Sequence, residues 1–193
     1  MHKHDLAKEI ADRLLAAMGL ILLSPVGAGA VLICALSGEG IFYAQERIGK
    51  GGKPFTVWKF RTMRRDAPVL PRARLSSPDA YYIRGGALLR STGIDELPQL
   101  WCVLKGEMSL VGPRPLLASE LAVHRLRTKW GVYALRPGIT GLAQLCGDPP
   151  FLTKAKLDAL YLQERSLWLD TCILLSTAKV VLKRPGREVK GNC

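Results

Sequence analysis

The chain opens on a charged, periodic stretch and then loses all charge. In "DLAKEIADR", residues 5–13, Leu6 and Ile10 recur at helical spacing and Leu14 continues the series, which predicts a helix that starts at an interface. "LLAAMGLILLSPVGAGAVLICAL", Leu14 to Leu36, then runs for 23 residues without a charge, long enough for a bilayer-crossing helix. Ser24-Pro25 interrupts it. Proline lacks an N–H and its ring clashes with the preceding turn, so a kink or break is predicted near Ser24. The eleven residues from Leu14 to Ser24 extend roughly 16 Å at 1.5 Å per residue, about half of a 30 Å hydrocarbon core. A secretory signal fits less well, because the run exceeds an h-region and no polar cleavage region follows it.

The pattern then changes period. "IFYAQERI" and "PFTVWKFRTM" are β-rich runs joined by the glycine-dense "GKGGK", which predicts a hairpin over Ile41 to Met63 with Lys59 and Arg61 on one side of its second strand. Residues 64–85, rich in Pro, Arg and Ser, read as a loop, followed by a short helical segment at Gly86 to Arg90. "IDELPQLWCVLKGE" carries a helix start, with Asp95 and Glu96 in the first turn, Pro98 near the tolerated position, and an apolar face of Leu97, Leu100, Trp101 and Leu104. "RPLLASELAVHRLRTKW" is a further amphipathic helix, and "RPGITGLAQLCGDPP" is a loop with at most one strand. Helical pattern resumes from Thr153 to Lys183 with an interruption near Ser166. Its later part, ending in Lys179, Lys183 and Arg184, suits either a lipid surface or a core helix with a basic end.

Charge narrows the partners. Among 193 residues, 28 Lys+Arg stand against 16 Asp+Glu, a formal net charge of +12, which favours nucleic acid, anionic lipid headgroups or phosphorylated substrates. The five cysteines are odd in number and scattered, so neither a disulfide framework nor a zinc site is suggested. "GKGGKP" lacks the frame of a P-loop, "VGAGA" lacks the third glycine of a dinucleotide fingerprint, and no Gly-x-Ser-x-Gly is present.

What remains is the adjacent carboxylate pair Asp95-Glu96, which reads equally as helix capping and as a site. A basic set punctuated by Gly and Pro tips the balance: Arg90, Arg114 in "GPRP", Arg136 in "RPG", and Lys59 and Arg61 on the hairpin. Guanidinium forks on restricted backbone suit a diphosphate, and a carboxylate among them can bind Mg2+ or attack phosphorus.

"ERIGKGGKPFTVWKFRTM", "LRSTGIDELPQLWCVLKGEMSLVGPRP" and "RPGITGLAQ" resemble the bacterial sugar transferases, the monotopic phosphoglycosyl transferases, in their minimal, PglC-like form. The likeness runs from the Ser-Pro segment to "LDALYLQERSLWLDTCILL". It implies transfer of a sugar 1-phosphate from a UDP-sugar to a polyprenyl (undecaprenyl) phosphate, with Mg2+ as cofactor, at the cytoplasmic face of the inner membrane. It further implies Asp95 as the nucleophile of a covalent phosphosugar intermediate and Glu96 as metal ligand or base. Lys59, Arg90 and Arg114 match phosphate-binding positions, and Asp158 matches an implicated acidic residue. The sequence departs from the family at Gly93, Tyr81, Cys146 and Asp148.

The resulting expectation is an α+β, mostly helical protein with a re-entrant membrane helix over 1–38, broken at Ser24-Pro25, and a catalytic domain over 39–193 carrying the hairpin and amphipathic interface helices. A catalytic domain that uses a cytosolic UDP-sugar, after a flank holding Lys3, Lys8 and Arg13, places both ends of the apolar run on one side. A kinked spanning helix is the alternative. A membrane-associated nucleic-acid binder or a scaffold remains the competing function, although the basic residues sit singly rather than as a stripe, which argues against nucleic acid. The oligomeric state is open, a homodimer included.

Overall fold

A computed structural model of the chain describes residues 3–68, 78–147 and 149–183. The apolar run forms two helices, α1 (Lys3–Leu22) and α2 (Ser24–Leu36), bent by 64° at their junction. The bend follows from local chemistry. Pro25 has no N–H to offer Ile21, four residues earlier, and the Ser24 hydroxyl donates to that carbonyl instead at 2.8 Å. Leu23 N–H still reaches Gly19 O at 2.9 Å and Gly27 N–H reaches Leu23 O at 2.8 Å, so the chain turns without orphaning its backbone in an apolar setting. Among the described residues no single helix is long and apolar enough to cross a membrane.

The hairpin forms as the alternation predicts. Strands β1 (Phe42–Ile48) and β2 (Pro54–Phe60) pair antiparallel, Tyr43 opposite Lys59, Gln45 opposite Val57 and Arg47 opposite Phe55. The tip uses Gly51 and Gly52 at φ of 69° and 72°, left-handed values that a side chain would resist. The end of β1 is also tied to the "GPRPL" segment, since Ile48 N–H donates to Leu116 O at 2.9 Å.

The segment beyond the hairpin carries α3 (Gly86–Ser91), a 3-10 turn (Ile94–Glu96) and α4 (Gln99–Leu104). A second, parallel pair follows, β3 (Ser109–Val111) with β4 (Gly138–Thr140), linked by a crossover that contains α5 (Leu121–Lys129). The two strands meet at glycines: a Cβ on Gly138 would lie 2.1 Å from Gly112 N. After α6 (Leu142–Leu145), helices α7 (Phe151–Glu164) and α8 (Leu167–Lys183) complete the chain, broken at Arg165-Ser166 near the predicted interruption. Lys183's side chain and Arg184 lie outside the described residues, as do Asp148 and part of the 64–85 segment.

The core is shared between the bent helices and the rest. Ala16 of α1 packs with Val57, Cys102, Val103 and Met108, while Ala30 and Cys34 of α2 pack with Phe60, Ile83 and Leu89. A buried polar network fastens α1. Lys8 Nζ donates to Asp170 Oδ2 of α8 at 2.7 Å and lies 3.3 Å from Asp12, whose carboxylate accepts Ser109 Oγ–H at 2.6 Å. Tyr161 O–H closes the set on Asp170 at 2.6 Å. Further out, Asp5 pairs with Arg165 and Glu9 with Arg136.

The acidic pair differs from the expected helix start. Gly93, at φ 71°, turns the chain out of α3 into the 3-10 turn, and the amides of Glu96 and Leu97 are taken by Gly93 O and Ile94 O. Only the six-residue α4 follows, beginning at Gln99. The carboxylates therefore do not cap an α-helix. α5 likewise starts later than the pattern suggested. Gly112 and Pro113 lie in a bend, and Pro115 precedes the bridge residue Leu116; Leu117 N–H then donates to Glu120 Oε2 and Glu120 N–H to Leu117 O, both at 3.0 Å, to launch the helix at Leu121.

Candidate active site

Asp95 and Glu96 sit side by side on the 3-10 turn but in different surroundings. Asp95 is 6% exposed. Burial, and after it the neighbouring Glu96 charge, push its carboxyl from 3.8 up to about 6, against the pull of Lys59 and Arg90. For Glu96, burial also pushes upward, but Lys59, Arg114 and Gln99 outweigh it and hold the group below its ordinary value. Its Oε1 receives a short hydrogen bond from Lys59 Nζ. Two adjacent carboxylates thus differ in basicity because their neighbours differ, a pattern that separates chemical roles within one site.

The positioning follows from the elements. Lys59 projects from β2 on the face shared with Tyr43, Gln45 and Arg47, as the two-residue period requires. Arg114 is held by the bridge between hairpin and "GPRPL" segment. Its carbonyl accepts Arg127 Nη1–H at 2.8 Å. Together Lys59, Glu96, Gln99, Arg114 and Arg47 line a polar cleft. Arg90, at the end of α3, contacts Met63 Sδ at 3.2 Å and acts on Asp95 through its charge.

Of the expected site residues, the buried Asp95 and Arg90 do not line this cleft, nor do Arg136 and Asp158. Arg136 pairs with Glu9 of α1 at 3.0 Å and does not line the cleft. Asp158 is 2% exposed and receives Arg127 Nε–H at 2.9 Å and Nη2–H at 2.6 Å. It therefore reaches the cleft only indirectly, through Arg127 and the Arg114 carbonyl. Arg61 stacks over the Tyr43 ring at 5.7 Å and donates to Phe42 O at 3.2 Å. Conversely, Arg47, Gln45 and Gln99 line the cleft without having been singled out; the alternation of β1 with Lys59 opposite Tyr43 was the available signal.

On the other side of the 3-10 turn lies an apolar groove between the helix bend and the hairpin, lined by Leu20, Leu23, Phe42, Trp58, Leu97 and Trp101 among others. Ser24 reaches its wall, so the broken helix borders the site directly. Pro25, one residue on, stands within the first turn of α2.

The profile of the family described as "Bacterial sugar transferase" matches residues 3–184. The chain belongs to this family. It is 35% identical over 196 residues to the undecaprenyl-phosphate galactose phosphotransferase of Salmonella typhimurium, covering 93% of this chain and 41% of that protein. It is 38% identical over 190 residues to the UDP-glucose:undecaprenyl-phosphate glucose-1-phosphate transferase of Caulobacter vibrioides, covering 92% and 70%. The exopolysaccharide production protein ExoY of Rhizobium meliloti is 36% identical over 197 residues, covering 91% and 85%. The chain spans about two fifths of the length of several relatives it matches. As a bacterial sugar transferase, it carries the family match across the bent helices, the hairpin and the carboxylate turn alike.

Proposed function

We propose that this bacterial sugar transferase moves a sugar 1-phosphate from a UDP-sugar to a polyprenyl phosphate at a membrane surface. The observation that carries the reading is the carboxylate pair of unequal basicity on a turn whose Glu96 lines a cationic cleft and whose next residue, Leu97, lines an apolar groove. Relatives named for undecaprenyl-phosphate sugar phosphate transfer support it.

In this mechanism Asp95 is the nucleophile. A carboxyl with a pKa of about 6 is largely ionised at neutral pH yet more basic than an ordinary aspartate, so it is the better attacking group of the two. Its oxygen bonds to the sugar-side phosphorus, the bond to the UMP oxygen breaks, and UMP leaves. A phosphate oxygen of the polyprenyl phosphate then attacks the same phosphorus, forming a diphosphate and releasing the Asp95 carboxylate. Lys59, Arg90 and Arg114 balance charge on the phosphoryl oxygens, and Glu96, fixed by Lys59, orients from the cleft side.

Mg2+ fits the donor set in one respect. The described residues hold no group of three or more metal-ligating side chains, but Mg2+ is commonly held by one or two carboxylates plus substrate phosphates, and Asp95 and Glu96 would supply that partial shell. Bound there, it would neutralise diphosphate charge as an anionic nucleophile approaches.

The bent helix pair supports a re-entrant reading. The start of α1 is fastened to the α7–α8 junction, α8 and β3 through Arg165, Asp170 and Ser109, and the end of α2 is fastened to β2 and its exit through Phe60 packing and Cys34 Sγ–H to Arg61 O at 3.2 Å. Both flanks rest on one body, whereas a spanning helix would part them. The protein would then dip into the cytoplasmic leaflet of the inner membrane, with the prenyl chain in the apolar groove.

Incubation of the full chain with a panel of UDP-sugars and undecaprenyl phosphate should release UMP. A UDP-sugar alone should add one phosphosugar mass to the wild type and none to Asp95→Asn. UMP release by Asp95→Asn at the wild-type rate would refute the assignment.

A further inference from the structure

One cation in the cleft is held by hydrogen bonds to neutral acceptors alone. Arg47 is half-buried on the cleft face of β1. Its Nε donates to Gln45 Oε1 at 3.1 Å, Nη2 donates to the same oxygen, and Nη1 donates to Pro115 O at 3.2 Å. All three bonds go to neutral acceptors. Among the described residues no carboxylate is in ion-pair contact with Arg47 or with Arg114; of the acids that act on Arg47 through their charge, Glu120 accepts from Leu117 N–H and lies 3.9 Å from Lys154, and Glu96 is engaged by Lys59. Burial, and after it the Arg114 charge, hold the Arg47 guanidinium below its ordinary value.

The cleft therefore contains Arg47, Lys59 and Arg114 against a single lining carboxylate, Glu96, which Lys59 already engages. Two like charges brought together in a partly dry cleft are unfavourable unless an anion joins them. Guanidinium forks fixed by neutral hydrogen bonds are preorganised for the oxygens of a phosphate, which can accept from both at once.

We propose that Arg47 and Arg114 together form a phosphate subsite on the Glu96 side of the carboxylate pair, in which Arg47 contacts substrate directly. The proposal rests on the reading of the protein as a phosphoglycosyl transferase. A phosphate could reach this subsite from either substrate, as the nucleotide diphosphate or as the lipid phosphate, and the two sources make different demands on the reaction. If the donor diphosphate occupies it, Arg47 serves formation of the Asp95 phosphosugar. If the lipid phosphate occupies it, Arg47 serves only the second transfer.

Titration of inorganic pyrophosphate into the full chain in micelles tests the subsite without turnover. Arg47→Gln should weaken binding roughly tenfold or more, the effect of losing a charge-assisted contact, while Arg84→Gln, an exposed arginine outside the cleft, should leave it unchanged. In the wild type, pyrophosphate should shield Arg47 from phenylglyoxal, read by peptide mass mapping, and this decides the matter even if Arg47→Gln fails to fold. Slower labelling by UDP-sugar alone identifies the donor as the source; unchanged labelling with slower discharge to undecaprenyl phosphate identifies the lipid. Unchanged pyrophosphate affinity in a folded Arg47→Gln, equal modification of Arg47 with and without pyrophosphate, or no change in either half-reaction would overturn the proposal. A wild type that binds pyrophosphate through Arg47 yet turns over no UDP-sugar would instead refute the transferase reading.

Discussion

Replacing Asp95 with Asn should abolish chemistry and stabilise the fold. The sign comes from linkage. In the unfolded chain the carboxyl titrates near 3.8, and in the folded protein near 6, so between those values the folded state binds more protons and stability falls as pH rises. Above pH 6 the whole penalty of keeping a buried carboxylate ionised beside Glu96 is present; below pH 3.8 it is absent. At 1.36 kcal/mol for each tenfold change in proton affinity, the interval corresponds to about 3 kcal/mol. Asp95 is 6% exposed, so solvent screening does little to reduce this figure.

Asparagine has nearly the same shape and no charge to desolvate. At pH 8, Asp95→Asn should gain up to about 3 kcal/mol, or roughly 6–12 °C in melting temperature for a chain of this size. The gain should shrink as pH is lowered through 6 and vanish near 4. Thermal unfolding in detergent micelles, followed by tryptophan fluorescence at pH 4, 5, 6, 7 and 8, reads the difference directly. A variant no more stable than wild type at pH 8, or a gain that does not change with pH, would refute the claim that Asp95 is held as a strained, buried carboxylate.

The same titration should govern the first half-reaction: labelling of Asp95 by a UDP-sugar should be half-maximal near pH 6 and fall about tenfold per pH unit below it, and a flat profile to pH 5 would exclude Asp95 as the attacking group. Lys8→Met leaves Asp12 and Asp170 buried without their shared cation, and should lower stability by about 3–5 kcal/mol; a loss under about 1 kcal/mol by the same unfolding assay would contradict that network. Asp158→Asn should destabilise by a similar amount and also slow turnover, because Arg127 loses the partner that aims it at the Arg114 carbonyl. Adding Arg127→Met should restore stability but not turnover; full turnover in Asp158→Asn would reduce the pair to a purely structural one.

Legibility in the sequence followed the range of the interactions. The hairpin was readable because an alternating pattern and a glycine turn are both local, and its register then places Lys59 without further information. The bend at Ser24-Pro25 is readable for the same reason, whereas the choice of the Ser24 hydroxyl as partner for the freed carbonyl comes from the structure. Strands β3 and β4, three residues each, are too short to show a period, and their pairing depends on glycines brought together from distant parts of the chain. Asp158 enters the site through the family resemblance and Arg136 through its Pro-Gly setting in the sequence. Their positions are set instead by partners far along the chain, Arg127 and Glu9, and no one-dimensional pattern reveals such pairings. Arg47 lies in the quoted "ERIGKGGKPFTVWKFRTM" stretch, but only the strand pairing and the bridge to Leu116 put it in the cleft with Arg114.

The segment from Glu96 to Trp101 divides a polar cleft from an apolar groove within one short stretch of chain. In a turn of three to four residues, positions three apart share a face. Glu96 and Gln99 accordingly line the polar cleft, while Leu97, Leu100 and Trp101 line the apolar groove. The polypeptide itself is the partition between the two. Had Asp95 and Glu96 opened a long α-helix, amides at its end would have been the anion site and the groove would have needed a separate wall. With a 3-10 turn followed by six residues of α4, Glu96 stays at the edge of the partition on the cleft side, and Asp95 beside it is buried. The bend in the N-terminal helix completes the geometry, because Leu20, Leu23 and Ser24 form the opposite wall of the groove. A straight helix would carry the residues beyond Ser24 away from the hairpin and leave that wall open.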